Sequence, residues 1–335
     1  MPHPSHSIAM LPSTTIWFHS PCFDGIVSAV LTLDFLEASG HGRVRRLQPV
    51  GYNEREGWLE QELPPGSAVV DFLYHPGAAF WADHHRTSFL TSDARSHFCQ
   101  RRGPRFVYDN QADSCAGLLW DHLHSAFGHR NDGYAEMVYW ANQIDAARYN
   151  SVLEAIAPNM PAQQISAGLA FANDADCVSL VRRLHARPLE EVASDFNVAE
   201  RFRRFQTESA AGLEEFQRGA HLEDGDIVVF EVDATKSNIS RYAPYYFYPD
   251  AAYSAGILHL KEGAKVTAMR NPWRDFRGVS LGEVFEEIGG GGHRRVASVI
   301  LPSSDLEGAQ AVLGHVLRRI RGAAREIADT GSQDD

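Results

Sequence analysis

The chain has 335 residues, of which 44% are hydrophobic and 22% are charged, with a net charge of −12 at pH 7. This length suits two domains, and the composition is ordinary for a soluble globular protein. The negative charge excludes a surface that binds polyanions over its whole area, because long nucleic acids are held by many basic contacts to phosphate. Any anion-binding face must be local, and short anionic substrates fit this balance better than long duplexes.

Short apolar runs alternate with helical patterns through the first part of the chain. Residues 15–18 predict a buried strand, and residues 25–36 carry apolar side chains at helical spacing. Further strands are predicted over residues 45–50, 67–72, 79–83 and 105–108. Strands that alternate with helices predict a mostly parallel sheet, whose ligands bind at the carboxyl ends of its strands. His19, Asp71 and Asp83 lie at those ends, so we expect them at one edge of the sheet.

The second part of the chain begins with a stretch over residues 188–217 that predicts a long charged connecting helix. The remaining predicted helices cover residues 114–127, 134–147, 279–288 and 310–327, and the remaining strands cover residues 227–230, 255–260 and 264–270. We therefore predict a two-lobed α/β protein. Its N-terminal lobe has a mostly parallel sheet with flanking helices, its smaller C-terminal lobe is also α/β, and a cleft separates them.

The cysteines and the hydropathy pattern indicate a cellular setting. The four cysteines show no CxxC spacing, which argues against a disulfide framework or a zinc ribbon. Free thiols are typical of a reducing compartment. The N-terminus lacks a basic region followed by a long apolar run, and no stretch approaches the roughly 18 apolar residues of a membrane span. We predict a soluble cytoplasmic protein without a membrane partner.

The stretch Trp81–Arg86 is the most informative, because it contains Asp83, His84 and His85 directly after a predicted strand. Aspartate and histidine are ligands of divalent ions such as Mn and Fe. Among 16 histidines, an isolated pair would more often be surface residues. Here other candidate ligands accompany them along the chain, namely His19, Asp24, Asp71 and Asp145. The combination predicts a metal site.

A second motif, Gly289–His293, consists of four glycines followed by a histidine. Glycines let backbone amides approach an anion closely, so the run predicts a loop that holds a phosphate or carboxylate. Residues 261–295 contain seven basic and five acidic side chains, in contrast to the acidic balance of the whole chain. We expect the anion-binding face here.

These motifs, in this order, resemble the DHH phosphoesterase superfamily, in particular the members with the DHH-associated C-terminal domain. The resemblance extends from about residue 16 to about residue 301. It implies a divalent metal cofactor, with Mn favoured and Mg, Fe or Zn as alternatives. It also implies that residues 1–195 form the metal-binding domain, 196–220 the connecting helix and 221–328 the substrate-binding domain, followed by a disordered tail over 329–335.

The resemblance also implies a role for each matching residue. His19 and Asp71 would bind one ion, and a second ion would be held by Asp24, Asp71, His84 and Asp145, with Asp71 bridging the two. Asp83 and His85 would be the catalytic residues. They would either hydrogen-bond to the metal ligands and orient them, or contact the substrate. The substrate-binding residues would be Arg270, Gly290, Gly291, Gly292 and His293.

The chain departs from the family pattern at Cys22. Family members usually have two acidic residues in this motif, and Cys22 stands where the first of them is expected, two residues before Asp24. A thiolate is a soft ligand that suits Mn or Mg poorly and Zn or Fe better. Cys22 could also merely fill a loop. The resemblance therefore leaves open whether one ion or two are bound.

The implied function is metal-dependent hydrolysis of phosphodiester or phosphomonoester bonds in nucleotides or short oligonucleotides, as by an exonuclease. Alternatives are a hydrolase of cyclic dinucleotides, pAp or inorganic polyphosphate, and a nucleotide-binding protein whose catalysis is weakened at Cys22. A structural or interaction protein would require the ordered motifs to be coincidental. The oligomeric state stays open, with a homodimer as one possibility.

Overall fold

The computed structural model describes residues 15–38, 44–101, 103–302 and 306–331. The chain forms two compact units. The first comprises the described residues up to 149 together with 159–205, and the second comprises residues 150–158 together with those after 205. Each unit contains one sheet, of five strands in the first and six in the second.

The sheet of the first unit consists of five strands, β1 (Thr15–His19), β2 (Arg46–Val50), β3 (Ala68–Val70), β4 (Phe80–Asp83) and β5 (Phe106–Tyr108). Their order in the sheet is β2-β1-β3-β4-β5, and every neighbouring pair is parallel, as predicted. The chain leaves β1 toward one side and later returns on the other side as β3. In parallel sheets, ligands bind beyond the strand ends at such a reversal.

Both faces of this sheet are covered. Ile16 and Phe18 belong to one hydrophobic cluster and Trp17 to another, and β3 and β4 alternate in the same way. This explains why the strands are continuous apolar runs, since neither face meets water. The helices that follow these strands are α1 (Phe23–Ala38), α2 (Ser92–Gln100), α3 (Cys115–Phe127) and α4 (Ala135–Asp145).

The predicted single helix over residues 188–217 is interrupted. The following helices are α5 (Val152–Ile156), α6 (Pro161–Gly168), α7 (Asp174–Ala186), α8 (Leu189–Ala193) and α9 (Phe196–Gly219). Asp195 separates α8 from α9: its carboxylate accepts hydrogen bonds from Arg183 and Arg187, and its carbonyl begins the hydrogen bonding of α9. Acidic residues at the start of a helix stabilise it, which explains the break.

The second unit contains the strands β6 (Ala220–Glu223), β7 (Ile227–Asp233), β8 (Tyr253–Leu260), β9 (Gly263–Arg270), β10 (Gly291–His293) and β11 (Val296–Leu301). The sheet order is β10-β11-β9-β8-β7-β6, in which only β7 and β8 are parallel. The helices α11 (Leu281–Glu286) and α12 (Leu306–Gly331) contribute to the hydrophobic cluster on one face, and α10 (Ala243–Phe247) contributes to the other. The predicted α/β class, with a parallel sheet flanked by helices followed by a second α/β unit, is confirmed.

Two local predictions for the second unit differ from the structure. The glycine run is not a loop throughout, because Gly291–His293 forms β10 and pairs with β11. Gly292 has a φ of 151°, which explains why glycine is required there. Helix α12 continues to Gly331, beyond the predicted start of the tail, and residues 332–335 lie outside the described part. No described helix is long and apolar enough to span a membrane.

Candidate metal centre

Seven ionisable side chains of the first unit meet at the carboxyl edge of its sheet. His19 is the last residue of β1, Asp71 follows β3 and Asp83 is the last residue of β4. The other four come from the first turn of α1, the loop after β4 and the end of α4, and they are Asp24, His84, His85 and Asp145. Contacts of 2.8 to 3.7 Å link all seven, so the structure brings together the predicted metal and catalytic residues.

Asp71 lies at the centre of this group and is completely buried. Its φ of 56° ends β3 and turns the chain, a conformation that aspartate and asparagine adopt more readily than most residues. Neither carboxylate oxygen has a hydrogen-bond partner, although His19, His84 and His85 approach to 3.4, 3.7 and 3.7 Å. Burial and the charge of Asp24 raise the pKa of Asp71 well above its ordinary value. Such a group stays protonated unless a cation compensates for its charge.

Asp24 is oriented by the start of α3. One carboxylate oxygen accepts a hydrogen bond from the Cys115 amide at 2.7 Å, and the other accepts one from the Ala116 amide at 2.8 Å. The exposed amides and the dipole at a helix N-terminus favour a negative charge. The oxygen bound to Cys115 also lies 3.5 Å from Nε2 of His84. Asp24 is thereby held beside the histidine.

His84 presents a free ring nitrogen to three carboxylates. Its Nδ1 lies 3.1 Å from the carbonyl of Ala112, which makes Nδ1 the protonated nitrogen. Its Nε2 is buried without a hydrogen bond and lies 3.3 Å from Asp145, 3.5 Å from Asp24 and 3.7 Å from Asp71. A lone pair directed at several carboxylates is the arrangement of a metal ligand. Burial and the charge of Asp24 raise the pKa of Asp145 to about 6.

Asp83 faces His85 rather than the centre of the group. One oxygen of Asp83 lies 2.8 Å from Nδ1 of His85 and also accepts the His84 amide at 2.8 Å, while the other accepts the hydroxyl of Ser88. Burial acts to lower the pKa of His85, but its hydrogen bond to Asp83 and the charge of that carboxylate outweigh burial and raise it. Asp83 therefore orients His85 and favours its protonated form.

Cys22 forms a set of potential ligands with His19 and Asp71, two of the seven residues described above. Potential ligand atoms of the three side chains lie within 4.8 Å of one another. Nδ1 of His19 is buried without a hydrogen bond, and burial together with the charge of His85 lowers the pKa of His19 to about 4, so its ring is neutral. Burial and the charge of Asp24 raise the pKa of Cys22 to about 12. Cys22 is thus a thiol in the metal-free protein, within reach of an ion.

These residues fit divalent cations. Besides the group that contains Cys22, two sets of potential ligands lie within 4.8 Å of one another: Asp71, His84 and His85, and Asp24, His84 and Asp145. Among the described residues, the ion pairs of Asp24, Asp71, Asp83 and Asp145 involve histidine and no lysine or arginine. The unpartnered oxygens of Asp71 and ring nitrogens of His19 and His84 are atoms that a metal ion would satisfy.

The predicted substrate-binding residues lie in the second unit, where Arg270 is buried and Gly291, Gly292 and His293 are exposed. Arg270 is 5% exposed, its guanidinium lies 4.5 Å from the Phe276 ring centroid and donates to the carbonyl of the same residue, and its Nε has no hydrogen bond. The amide of Gly290 donates to the carbonyl of Phe285. Gly291, Gly292 and His293 line a cavity of about 330 Å³ within this unit. Their role in binding stays a prediction.

Sequence patterns did not predict the groups that support the ligands. Ala112 acts through its carbonyl and the start of α3 through its amides, and neither property depends on side-chain type. Ser88 has no distinguishing signal in the sequence. Ser114 could have been recognised, because a serine before an apolar helical pattern indicates an N-cap, and its side chain does accept the Gly117 amide.

Gly25 allows α1 to begin close to β1, so its substitution should disturb the site. A Cβ at this position would lie 2.1 Å from the carbonyl oxygen of His19. We expect Gly25→Ala to displace Asp24 and His19, to lower the free energy of unfolding by about 2 kcal/mol and to weaken Mn²⁺ binding. Urea unfolding and calorimetric titration would measure both. Gly57→Ala is the control, because a Cβ there meets nothing within 4 Å, and equal behaviour of the two variants would contradict this expectation.

Comparison with known proteins gives similarity of structure only. No family model matches the sequence, and no curated protein matches it. The pGpG-specific phosphodiesterase PggH from Vibrio cholerae has a TM-score of 0.67 at 17% identity, with 92% of this chain and 100% of that chain covered. RecJ from Thermus thermophilus in complex with Mn²⁺ has a TM-score of 0.55 at 14% identity, covering 94% and 56%. An exopolyphosphatase-related protein from Bacteroides fragilis has a TM-score of 0.52 at 13% identity, covering 91% of both chains.

Proposed function

This chain has the two-domain fold of the DHH phosphoesterases, and we propose that it is itself a metal-dependent phosphoesterase that hydrolyses nucleotides or short oligonucleotides. The observation that carries the proposal is the Asp71 carboxylate, buried without hydrogen bonds between His19 and His84. Desolvating a carboxylate costs several kcal/mol unless a partner compensates for it. A divalent ion on each side of Asp71 is the compensation that these ligands allow.

The first ion would be held by His19, Cys22 and Asp71, and the second would be held by Asp24, Asp71, His84 and Asp145. Bound divalent ions supply charge neutralisation at the phosphoryl group and activation of water as the nucleophile. Mn²⁺ is the proposed ion, since carboxylate and imidazole ligands suit it. The RecJ structure that this chain resembles contains Mn²⁺.

His85 would act on the substrate itself. Asp83 holds Nδ1 of His85, which leaves Nε2 to donate a hydrogen bond to a phosphate oxygen. The raised pKa of His85 favours the protonated ring that this donation needs. Negative charge that develops on the phosphoryl group is stabilised best by donors already in position. Asp83 and Ser88 would therefore serve catalysis by fixing the orientation of His85.

The proposal of short nucleotide substrates is supported by one comparison. PggH, a phosphodiesterase specific for the dinucleotide pGpG, is matched over its whole length. RecJ is matched over only 56% of its chain, so its likeness to this chain carries no argument about substrate length. Inorganic polyphosphate is the second candidate, supported by the likeness to the exopolyphosphatase-related protein. We also propose that Arg270 and the glycine run Gly289–His293 contribute to substrate binding. The cytoplasmic location likewise remains a proposal.

A turnover panel tests the proposal. Purified protein would be assayed with Mn²⁺, Mg²⁺, Zn²⁺ or chelator against a short RNA, a short DNA, a linear dinucleotide, a cyclic dinucleotide, pAp and polyphosphate. We expect metal-dependent release of mononucleotide from the linear dinucleotide. Silence across the panel, in protein shown to be folded and to bind metal, would instead support a nucleotide-binding protein without catalysis.

Cys22 should set the metal preference of the first site. Because the pKa of Cys22 is raised to about 12, any ion that binds its sulfur has to displace the thiol proton. A softer ion such as Zn²⁺ offsets this cost with a stronger bond to sulfur than Mn²⁺ forms. We expect Cys22→Asp to raise Mn²⁺ affinity about tenfold and to lower Zn²⁺ affinity, as calorimetric competition would show. Cys99→Asp is the control, since Cys99 is exposed on α2. Unchanged affinities for both ions would remove Cys22 from the ligand set.

A further inference from the structure

Tyr52 places a partly exposed aromatic ring beside the candidate metal centre. It begins the short 3₁₀ helix Tyr52–Glu54 after β2, and 38% of its surface is exposed. Its ring centroid lies 5.0 Å from that of His19, 5.5 Å from that of Phe72 and 6.4 Å from that of His85. Phe72 is completely buried, so one part of the Tyr52 ring packs inward while the rest meets solvent next to two predicted functional histidines.

The backbone around Tyr52 is tied to the loop that carries Cys22. The Ser20 amide donates to the carbonyl of Val50 at 2.9 Å, which joins the end of β1 to the end of β2. A Cβ at Gly51 would lie 3.3 Å from the Ser20 carbonyl oxygen, so these two segments are in close contact. The backbone that carries Tyr52 is therefore held next to the loop after β1, and the ring packs against His19 and Phe72. An aromatic surface that is ordered before binding loses little entropy when a ligand covers it.

The chemistry of Tyr52 differs from that of its neighbours. A tyrosine hydroxyl has an ordinary pKa of about 10, so the hydroxyl of Tyr52 is neutral at pH 7. A neutral phenol is a poor ligand for Mn²⁺ and brings no charge to a phosphate. What the exposed ring offers is a planar apolar surface, which suits a nucleobase. Inorganic polyphosphate has no group that would cover it.

We propose that the Tyr52 ring stacks on a nucleoside of the substrate beside the cleaved phosphate, and so selects nucleotides over inorganic polyphosphate. This inference rests on the proposed function and deepens it by naming the substrate class. Stacking tolerates any base, because every base has a π-face. Tyr52 would thus recognise nucleotides as a class without reading their sequence, as a substrate-contacting residue that takes no part in bond cleavage.

The test compares Tyr52→Leu and Tyr52→Phe with the wild type on two substrates, the dinucleotide pApA and an analogue that lacks both bases. Loss of the ring should raise KM for pApA about tenfold, with kcat and the analogue changed by less than about twofold. Tyr52→Phe should resemble the wild type.

Calorimetry of AMP binding to the metal-free protein measures binding without turnover. Tyr52→Leu should raise the Kd for AMP by about tenfold. Tyr139→Leu, at a tyrosine on α4 that is 53% exposed, should change nothing.

Several outcomes would overturn the inference. Equal losses on pApA and the analogue would mean that Tyr52 supports the metal centre and not a base. A Tyr52→Phe variant as weak as Tyr52→Leu would assign the effect to the hydroxyl. Hydrolysis of pApA by the wild type with no effect of Tyr52→Leu would reject stacking while the proposed function stands. Failure of the wild type to hydrolyse any ester, with AMP binding still dependent on Tyr52, would reject the proposed function alone.

Discussion

Asp71→Asn should abolish hydrolysis, lowering kcat by about a thousandfold, or roughly 4 kcal/mol of transition-state stabilisation. Both oxygens of Asp71 are needed, because one side of the carboxylate faces His19 and the other faces His84 and His85. An amide has one oxygen and no charge, so it cannot serve two ions. Asparagine is the suitable replacement, since it tolerates the φ of 56° at this position, whereas alanine would add backbone strain.

The measurement is steady-state turnover of a linear dinucleotide at saturating Mn²⁺. Asp132→Asn provides the matched control, because the Asp132 side chain is 81% exposed and pairs only with Arg130 among the described residues. The control should retain wild-type kcat. If Asp71→Asn retained more than about a tenth of the wild-type rate, Asp71 could not be a shared ligand of the reacting centre.

The same substitution should stabilise the metal-free protein. The pKa of Asp71 is raised in the folded state, chiefly by burial, so its negative charge opposes folding at neutral pH. For a carboxyl group with a raised folded pKa, stability is greatest below the unfolded value and falls as pH rises through the folded one. Asp145, a second carboxyl group of the site, also has a raised pKa, and its contribution to stability falls between pH 3.8 and about pH 6. Removing the charge of Asp71 should raise the free energy of unfolding at neutral pH by about 1–3 kcal/mol.

Urea unfolding with chelator and with excess Mn²⁺ would measure this effect. In chelator, Asp71→Asn should be more stable than the wild type. In Mn²⁺ the order should reverse, because binding to the folded state stabilises only the protein that retains its ligands. A variant less stable than the wild type in chelator would show that Asp71 is held by contacts other than those of a metal ligand.

The strands of the first unit and the edge where its functional residues meet could be predicted from the sequence. Runs such as Ile16–Phe18 and Ala68–Val70 are apolar because both faces of a parallel sheet are buried. A polar residue that directly follows such a run lies at the carboxyl edge of the sheet, where ligands bind. The candidate site residues His19, Asp71 and Asp83 could therefore be placed together from the order of residues alone.

Other features depend on tertiary contacts that leave little trace in the sequence. The break before α9 needs Arg183 and Arg187 to converge on Asp195. The pairing of Gly291–His293 with β11 needs a sheet edge that only the folded second unit provides. The substrate-contacting role predicted for Arg270 took no account of its burial against Phe276. Periodicity and spacing describe local preferences, so partners that are distant in sequence escape them.

The most direct test of the metal centre is to follow dinucleotide hydrolysis while chelator-treated protein is titrated with Mn²⁺. We expect no turnover without metal, and a rise in rate that saturates as the ions fill the site around Asp71. Turnover at full rate in chelator, or none at any Mn²⁺ concentration although the protein is folded and binds the ion, would contradict this expectation.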